Sequence, residues 1–172
     1  MHIQTPNFGE VTLLSFTDAS KEELLCVLKM RNHTEIKKWM YNQENISEHQ
    51  HFNFVEKLKS DENKKYFIVQ QNENTVGSVN FTNIDSAESA ADFGLYANPF
   101  ASISGAGRIL EEVAIQYAQD VLKIKYLNLE VFEQNTRAIN FYEKNGFIRT
   151  AEKQINGQRV ISMHKRIQGS EE

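Results

Sequence analysis

Two periodicities alternate along this chain, one of about two residues and one of about three and a half. The stretch VTLLSF (residues 11–16) reads as a short strand. KEELLCVLKM (21–30) brings Leu24, Leu25 and Leu28 to one helical face, with Asp18 or Ser20 as the cap. TEIKKWMY and SEHQHFNFVEKLKS continue as shorter helices; Ser47 can cap the second, whose stripe is Phe54, Val55 and Leu58. KYFIVQQ and TVGSVNFTNI predict a hairpin turning at residues 72–74, and ADFGLYA a further strand ending before Asn98-Pro99. Across residues 105–121 the helical period is strong, through Ile109, Leu110, Val113, Ala114, Tyr117 and Val121. YLNLEVF alternates as a strand, a helix starts at Asn135, and FIRTAEKQI and RVISMHKRI close the chain as a hairpin on Asn156-Gly157. The order predicts a mixed α/β domain of the α+β kind, with a long helix joining two central strands.

Composition narrows this little but usefully. A chain of 172 residues is sized for one domain, expected over 1–168 with a short tail at 169–172. Hydrophobic residues at 40% and charged residues at 24% suit a globular core and argue against disorder. A formal net charge of −4 disfavours a general nucleic-acid binder. Cys26 is the single cysteine, so no intrachain disulfide can form and a reducing, cytoplasmic setting is expected. Its apolar neighbours predict a small core residue rather than a nucleophile. No apolar run approaches the ~20 residues of a membrane span, and no signal-peptide core follows Met1. His33 and His51 lack a metal-ligand pattern, so no metal is expected.

Chemistry concentrates in two segments. In GLYANPFASISGAGRIL (94–110) a strand ends, a loop follows, and Gly105-Ala106-Gly107 opens the long helix. A helix start presents unpaired N–H groups and partial positive charge, and small residues let an anion reach them. Ser102, Ser104 and Arg108 add donors. The same G-x-G also describes a helix start packed tightly on a neighbour. A Walker loop is excluded by Arg108-Ile109 after Gly107, and a dinucleotide fingerprint by Leu110. The second segment, NTRAINFYEKNGF (135–147), places Ala138, Phe141 and Tyr142 on one face. A phenol there is either a core tyrosine with a backbone partner or a group turned into a cavity.

Together these motifs resemble those of the GNAT superfamily of acyl-CoA-dependent N-acetyltransferases. Residues 95–107 follow its Q/R-x-x-G-x-G/A loop, except that Ser102 replaces the usual Arg or Gln. Residues 135–147 follow its second cofactor motif throughout. The resemblance implies a mixed, mostly antiparallel sheet splayed between two parallel strands and flanked by helices. It implies acetyl-CoA as co-substrate, its pantetheine arm paired with main-chain N–H groups of Leu95, Tyr96 and Ala97 and with Asn135. Its diphosphate would rest on Ser102, Ser104, Gly105, Ala106, Gly107 and Arg108. Tyr142 would give the departing thiolate its proton.

The base is open from the residues alone. Alternation in NLEVF puts Asn128, Glu130 and Phe132 on one face, so Glu130 either borders the gap or is an exposed edge carboxylate. Asn80 and Thr82, alternating in VNFTN, either line the same cavity or face water.

RNHTEIKKWMY (31–41) gathers donors beside aromatic and thioether surface, which either caps a helix end over core aromatics or suits a ligand with phosphate and deoxy-sugar or base parts. Here the chain resembles the branch of the superfamily that serves bacterial pseudaminic acid biosynthesis and flagellin glycosylation, through RNH…WMY, KYFIV, FGLYANPF and LEVFEQNTRAINFYEKN. That implies acetylation of the 4-amino group of a UDP-linked 4-amino-4,6-dideoxy sugar. Met40, Tyr41 and Phe54 would hold its 6-methyl group, and Arg31 would meet the nucleotide. An acetyltransferase of protein N-termini or polyamines and a non-catalytic acyl-CoA-binding domain remain alternatives. Neither a nucleic-acid nor a membrane partner is expected, and the terminal hairpin offers an edge for a homodimer.

Overall fold

A computed structural model describes residues 1–167; the tail expected at 169–172 lies outside the described residues. The elements run β1 (His2–Thr5), β2 (Gly9–Ser15), α1 (Lys21–Asn32), α2 (Thr34–Lys37), α3 (Glu48–Leu58), β3 (Lys65–Gln71), β4 (Asn74–Asp85), β5 (Ala90–Ala97), α4 (Ala106–Asp120), β6 (Tyr126–Phe132), α5 (Thr136–Lys144), β7 (Ile148–Ile155) and β8 (Gln158–Arg166). The strands form one eight-stranded sheet in the order β1-β2-β3-β4-β5-β6-β8-β7. Every neighbouring pair is antiparallel except β5 and β6, which the α4 crossover makes parallel.

Alternation along the strands separates two cores. Phe67 and Val69 of β3 face the core shared with α4 and α5, while Ile68 between them faces the core shared with α1 and α3. Helix α4 is buried through Ile109, Leu110, Val113, Ala114 and Tyr117, and packs on β1, β4 and β5. Helices α1 and α3 start in capping boxes, Ser20 with Glu23 and Ser47 with Gln50, in which side chain and backbone satisfy each other.

Three sequence expectations change. Strand β1 was not anticipated, because Ile3 is its one large apolar residue and its buried partner is Thr5. Helix α1 buries Leu24, Val27, Leu28 and Met30, which turns Cys26 to solvent rather than into the core. The eight-residue helix expected over TEIKKWMY shrinks to the four residues of α2, leaving Trp39, Met40 and Tyr41 in the segment that follows.

Candidate active site

The parallel ladder between β5 and β6 is short. It pairs Ala90 with Tyr126, Ala91 with Leu127 and Asp92 with Asn128, and then stops, although β5 continues to Ala97 and β6 to Phe132. Beyond Asp92 the strands part, and a slot of about 210 Å³ opens between them. Leu95 and Tyr96 line one wall, residues 129–132 the other, and Asn135, Ala138 and Tyr142 of the α5 region form its floor. At its upper end Asn98 donates its N–H to Val76 of β4 at 2.9 Å. The two-residue alternation of a strand then sends the N–H groups of Leu95 and Ala97 to the opposite edge, into the gap. The N–H of Tyr96 points to β4 by the same rule, so Tyr96 contributes its side chain rather than the main-chain donor expected of it.

The start of α4 lies at the end of the loop that leaves β5. Gly105 is its N-cap in left-handed backbone (φ 74°), and no side chain caps the first turn. Gly107 packs beneath α5: a Cβ there would stand 3.2 Å from the Phe141 ring. The packing reading of the G-x-G thus applies at Gly107, while at Gly105 the first turn of α4 has no side-chain cap. Ser102 and Ser104 are exposed beside it. Arg108, expected as a further phosphate donor, is committed elsewhere. Its guanidinium binds Glu111, Glu112 and the side-chain oxygen of Asn145. Backbone N–H groups and the hydroxyls of the two serines are the other donors of this turn.

Tyr142 is 7% exposed, walled by Phe93, Phe141 and Phe147 at ring separations of 6.1, 5.3 and 5.4 Å. Burial, and secondarily the carboxylate of Glu111, hold its phenol well above the ordinary tyrosine pKa. Glu111 is itself fully buried, held by Arg108 and by Lys165 at 3.1 Å. Tyr142 thus lines the slot with a compensated ionic cluster near enough to act on its phenol.

Glu130 borders the slot and also a larger cavity of about 430 Å³ on the α1 and α3 side of the sheet. Partial burial raises its pKa, but hydrogen bonds from Lys153 and Tyr41 with the Lys153 charge outweigh that and lower it. It is an ionised acceptor at neutral pH and a weak base. The larger cavity gathers Arg31, Met40, Tyr41, Phe54, Asn80 and Thr82, the six residues expected to meet the acceptor. Phe132 stacks edge-on to Tyr41 at 5.6 Å, and Phe54 to Tyr66 at 4.9 Å, giving the cavity aromatic walls. Arg31 donates to the Asn42 carbonyl at 2.7 Å, and Asn32 clasps Ile46 through paired hydrogen bonds of 2.8 and 2.9 Å. These contacts hold the segment carrying Tyr41 over the sheet.

Comparison with known proteins places this geometry. The profile of the acetyltransferase (GNAT) family matches residues 29–147. The chain belongs to the GNAT acetyltransferase family. It is 36% identical to the acetyltransferase PseH of Campylobacter jejuni (strain 81-176) over 137 residues, 80% of this chain and 84% of that one. The crystal structure of C. jejuni N-acetyltransferase PseH in complex with acetyl coenzyme A superposes with a TM-score of 0.73 at 30% identity, covering 91% of this chain and 98% of that one. Spermidine N-acetyltransferase from Vibrio cholerae, solved with CoA and spermine, gives a TM-score of 0.80 at 22% identity over 91% and 95% of the two chains. At that identity the likeness speaks of the fold alone.

As a GNAT enzyme this chain is an acetyl-CoA-dependent N-acetyltransferase, and its splayed mixed sheet is that of the family. The slot brings together Leu95, Tyr96, Asn135, Tyr142 and Glu130 from distant segments. Asn135 spends its side-chain oxygen on the Ala138 N–H at 3.2 Å, so its amide N–H remains to be offered to an arm in the slot. Sequence reasoning missed Lys153, which helps set the state of Glu130 from β7, two strands away across β8. It also missed Tyr66, Phe132 and His51 as cavity walls. Lone residues on predicted strands and helices give no sign of which cavity they reach.

Proposed function

We propose that this enzyme transfers the acetyl group of acetyl-CoA to the 4-amino group of a UDP-linked 4-amino-4,6-dideoxy sugar, by direct attack within a ternary complex, as in pseudaminic acid biosynthesis. The kinship with PseH supports it. The observation that carries it is the charge of the acceptor cavity. Among the described residues lining it, Glu130 is the one carboxylate and is already paired with Lys153, while Arg31 brings a guanidinium. A polyamine would need several free carboxylates; an anionic nucleotide bearing a deoxy sugar needs a cation and an apolar wall.

In this reading Met40, Tyr41 and Phe54 receive the 6-methyl group, Asn80 and Thr82 meet sugar polar atoms, and Arg31 meets the nucleotide. Glu130 accepts from the incoming amine and passes its proton to water. The N–H groups of Leu95 and Ala97 hold the acyl-pantetheine arm, one of them facing the thioester oxygen as negative charge develops there. Tyr142, kept protonated by its surroundings, donates to the sulfur as the carbon–sulfur bond breaks. The test is thiol release with the UDP-amino sugar, a polyamine and an N-terminal peptide as acceptors. Turnover confined to the sugar is expected; an equal rate with peptide or polyamine overturns the assignment, and no rate with any acceptor favours a binding domain.

A further inference from the structure

Several polar groups lining the acceptor cavity have partners: Ser78, for instance, donates to the Phe67 carbonyl at 2.9 Å, and Tyr41 donates to Glu130. Two buried ones do not. Among the described residues, the buried side-chain nitrogens without a hydrogen-bond partner are Arg31 Nη1 and His51 Nε2, and both residues line this one cavity. Buried polar atoms are rarely left alone, because the lost hydration is not returned until a partner arrives. Two such atoms in one cavity point to a ligand that completes both.

Their chemistry is complementary. Arg31 Nη1 can only donate. His51, 6% exposed on α3, stands edge-on to Phe16 at 6.1 Å and tilted against Phe52 at 6.0 Å. The Leu24 carbonyl lies within reach of its ring, and since Nε2 is the unpartnered nitrogen, Nδ1 is the one placed to donate to it. With its proton on Nδ1, a neutral ring turns a lone pair outward at Nε2. Burial favours the neutral ring, though the Leu24 contact works the other way. The residue lines the large cavity and not the slot that holds Tyr142 and Asn135, so its place is beside the body of the acceptor rather than at the transferred acetyl group.

We propose that His51 is a specificity-determining residue of the acceptor site: its Nε2 accepts a hydrogen bond from a hydroxyl or amide N–H of the nucleotide sugar, while Arg31 Nη1 donates to an oxygen of the same molecule. This rests on the nucleotide-sugar reading above. The pair selects an acceptor that offers a donor and an acceptor together, which an apolar amine or a polyamine chain does not.

The test is steady-state kinetics of His51→Phe, which keeps the aromatic volume and removes the lone pair, beside His51→Gln, which returns an acceptor at similar reach. The KM for the sugar rises about tenfold in His51→Phe, with kcat and the acetyl-CoA KM within about twofold of wild type, and His51→Gln recovers most of the loss. Where His51→Phe does not fold, wild-type enzyme is measured with sugar analogues lacking one hydroxyl or the acetamido N–H, and one of them loses about tenfold in KM. An unchanged sugar KM in a folded His51→Phe, an acetyl-CoA KM that rises in parallel, or analogues that all behave alike would overturn the role of His51 alone. Wild-type enzyme that leaves the sugar untouched overturns the nucleotide-sugar reading with it.

Discussion

The slot between β5 and β6 and the cavity on the other side of β5 share walls but are built from different materials. The slot opens on an unpaired strand edge, where β5 presents main-chain N–H groups, and the first turn of α4 at the end of the following loop has no side-chain cap. The cavity is mostly side chains, drawn from α1, the segment after α2, α3, β4 and β6. A main-chain donor keeps its direction whatever the neighbouring side chain, so the slot suits the constant partner, the coenzyme. A side-chain wall can be altered one residue at a time, so in the proposed reaction the cavity is where the acceptor is chosen.

The sharpest break between the two regions is Tyr142→Phe. Turnover should fall roughly 10²–10⁴-fold while calorimetry shows acetyl-CoA binding unchanged; retained turnover rejects Tyr142 as the acid. Next in size is Arg31→Ala, expected to raise the sugar KM about 10–100-fold and leave the acetyl-CoA KM alone. A parallel rise in both constants would show that the two regions are not separable. Met40→Ala should cost about tenfold in kcat/KM for the 6-deoxy sugar, and much less for the analogue with a hydroxyl on C6, whose methyl contact is already lost.

The smallest effect is a flat stretch in the pH profile. Tyr142 works protonated and its pKa is raised by burial and Glu111, so its form persists as pH rises to about 10, where an ordinary tyrosine is half ionised. Glu130 works ionised and its pKa is lowered, so its form persists as pH falls through the ordinary carboxylate range. The kcat with saturating sugar should show no alkaline limb below about pH 10. A limb near neutrality that disappears in Tyr142→Phe would contradict the protonated phenol.

The same contrast governs what could be read early. The strands KYFIVQQ and YLNLEVF match β3 and β6, Ser20, Ser47 and Asn135 are the caps expected of them, and residues 72–73 and Asn156-Gly157 turn in left-handed backbone. These are local features, decided within a few residues. Glu130 was visible only as a carboxylate out of place on a strand. That it is held by Lys153 and, across 89 positions, by Tyr41 was not. Arg108 shows the same limit from the other side: its position at a helix start suggested phosphate, but Glu111, Glu112 and Asn145 claim it.

The sequence alone determined where strands, helices and turns fall in most of the chain, and through its two cofactor motifs, the family. Those follow from short-range sterics, caps and periodic burial. Only the tertiary structure decided that β5 and β6 part after Asp92, which main-chain donors face the gap, and that Arg31 Nη1 and His51 Nε2 are left without partners at one cavity. Burial and charge pairing depend on atoms brought together from far apart in the chain, and no local pattern encodes them.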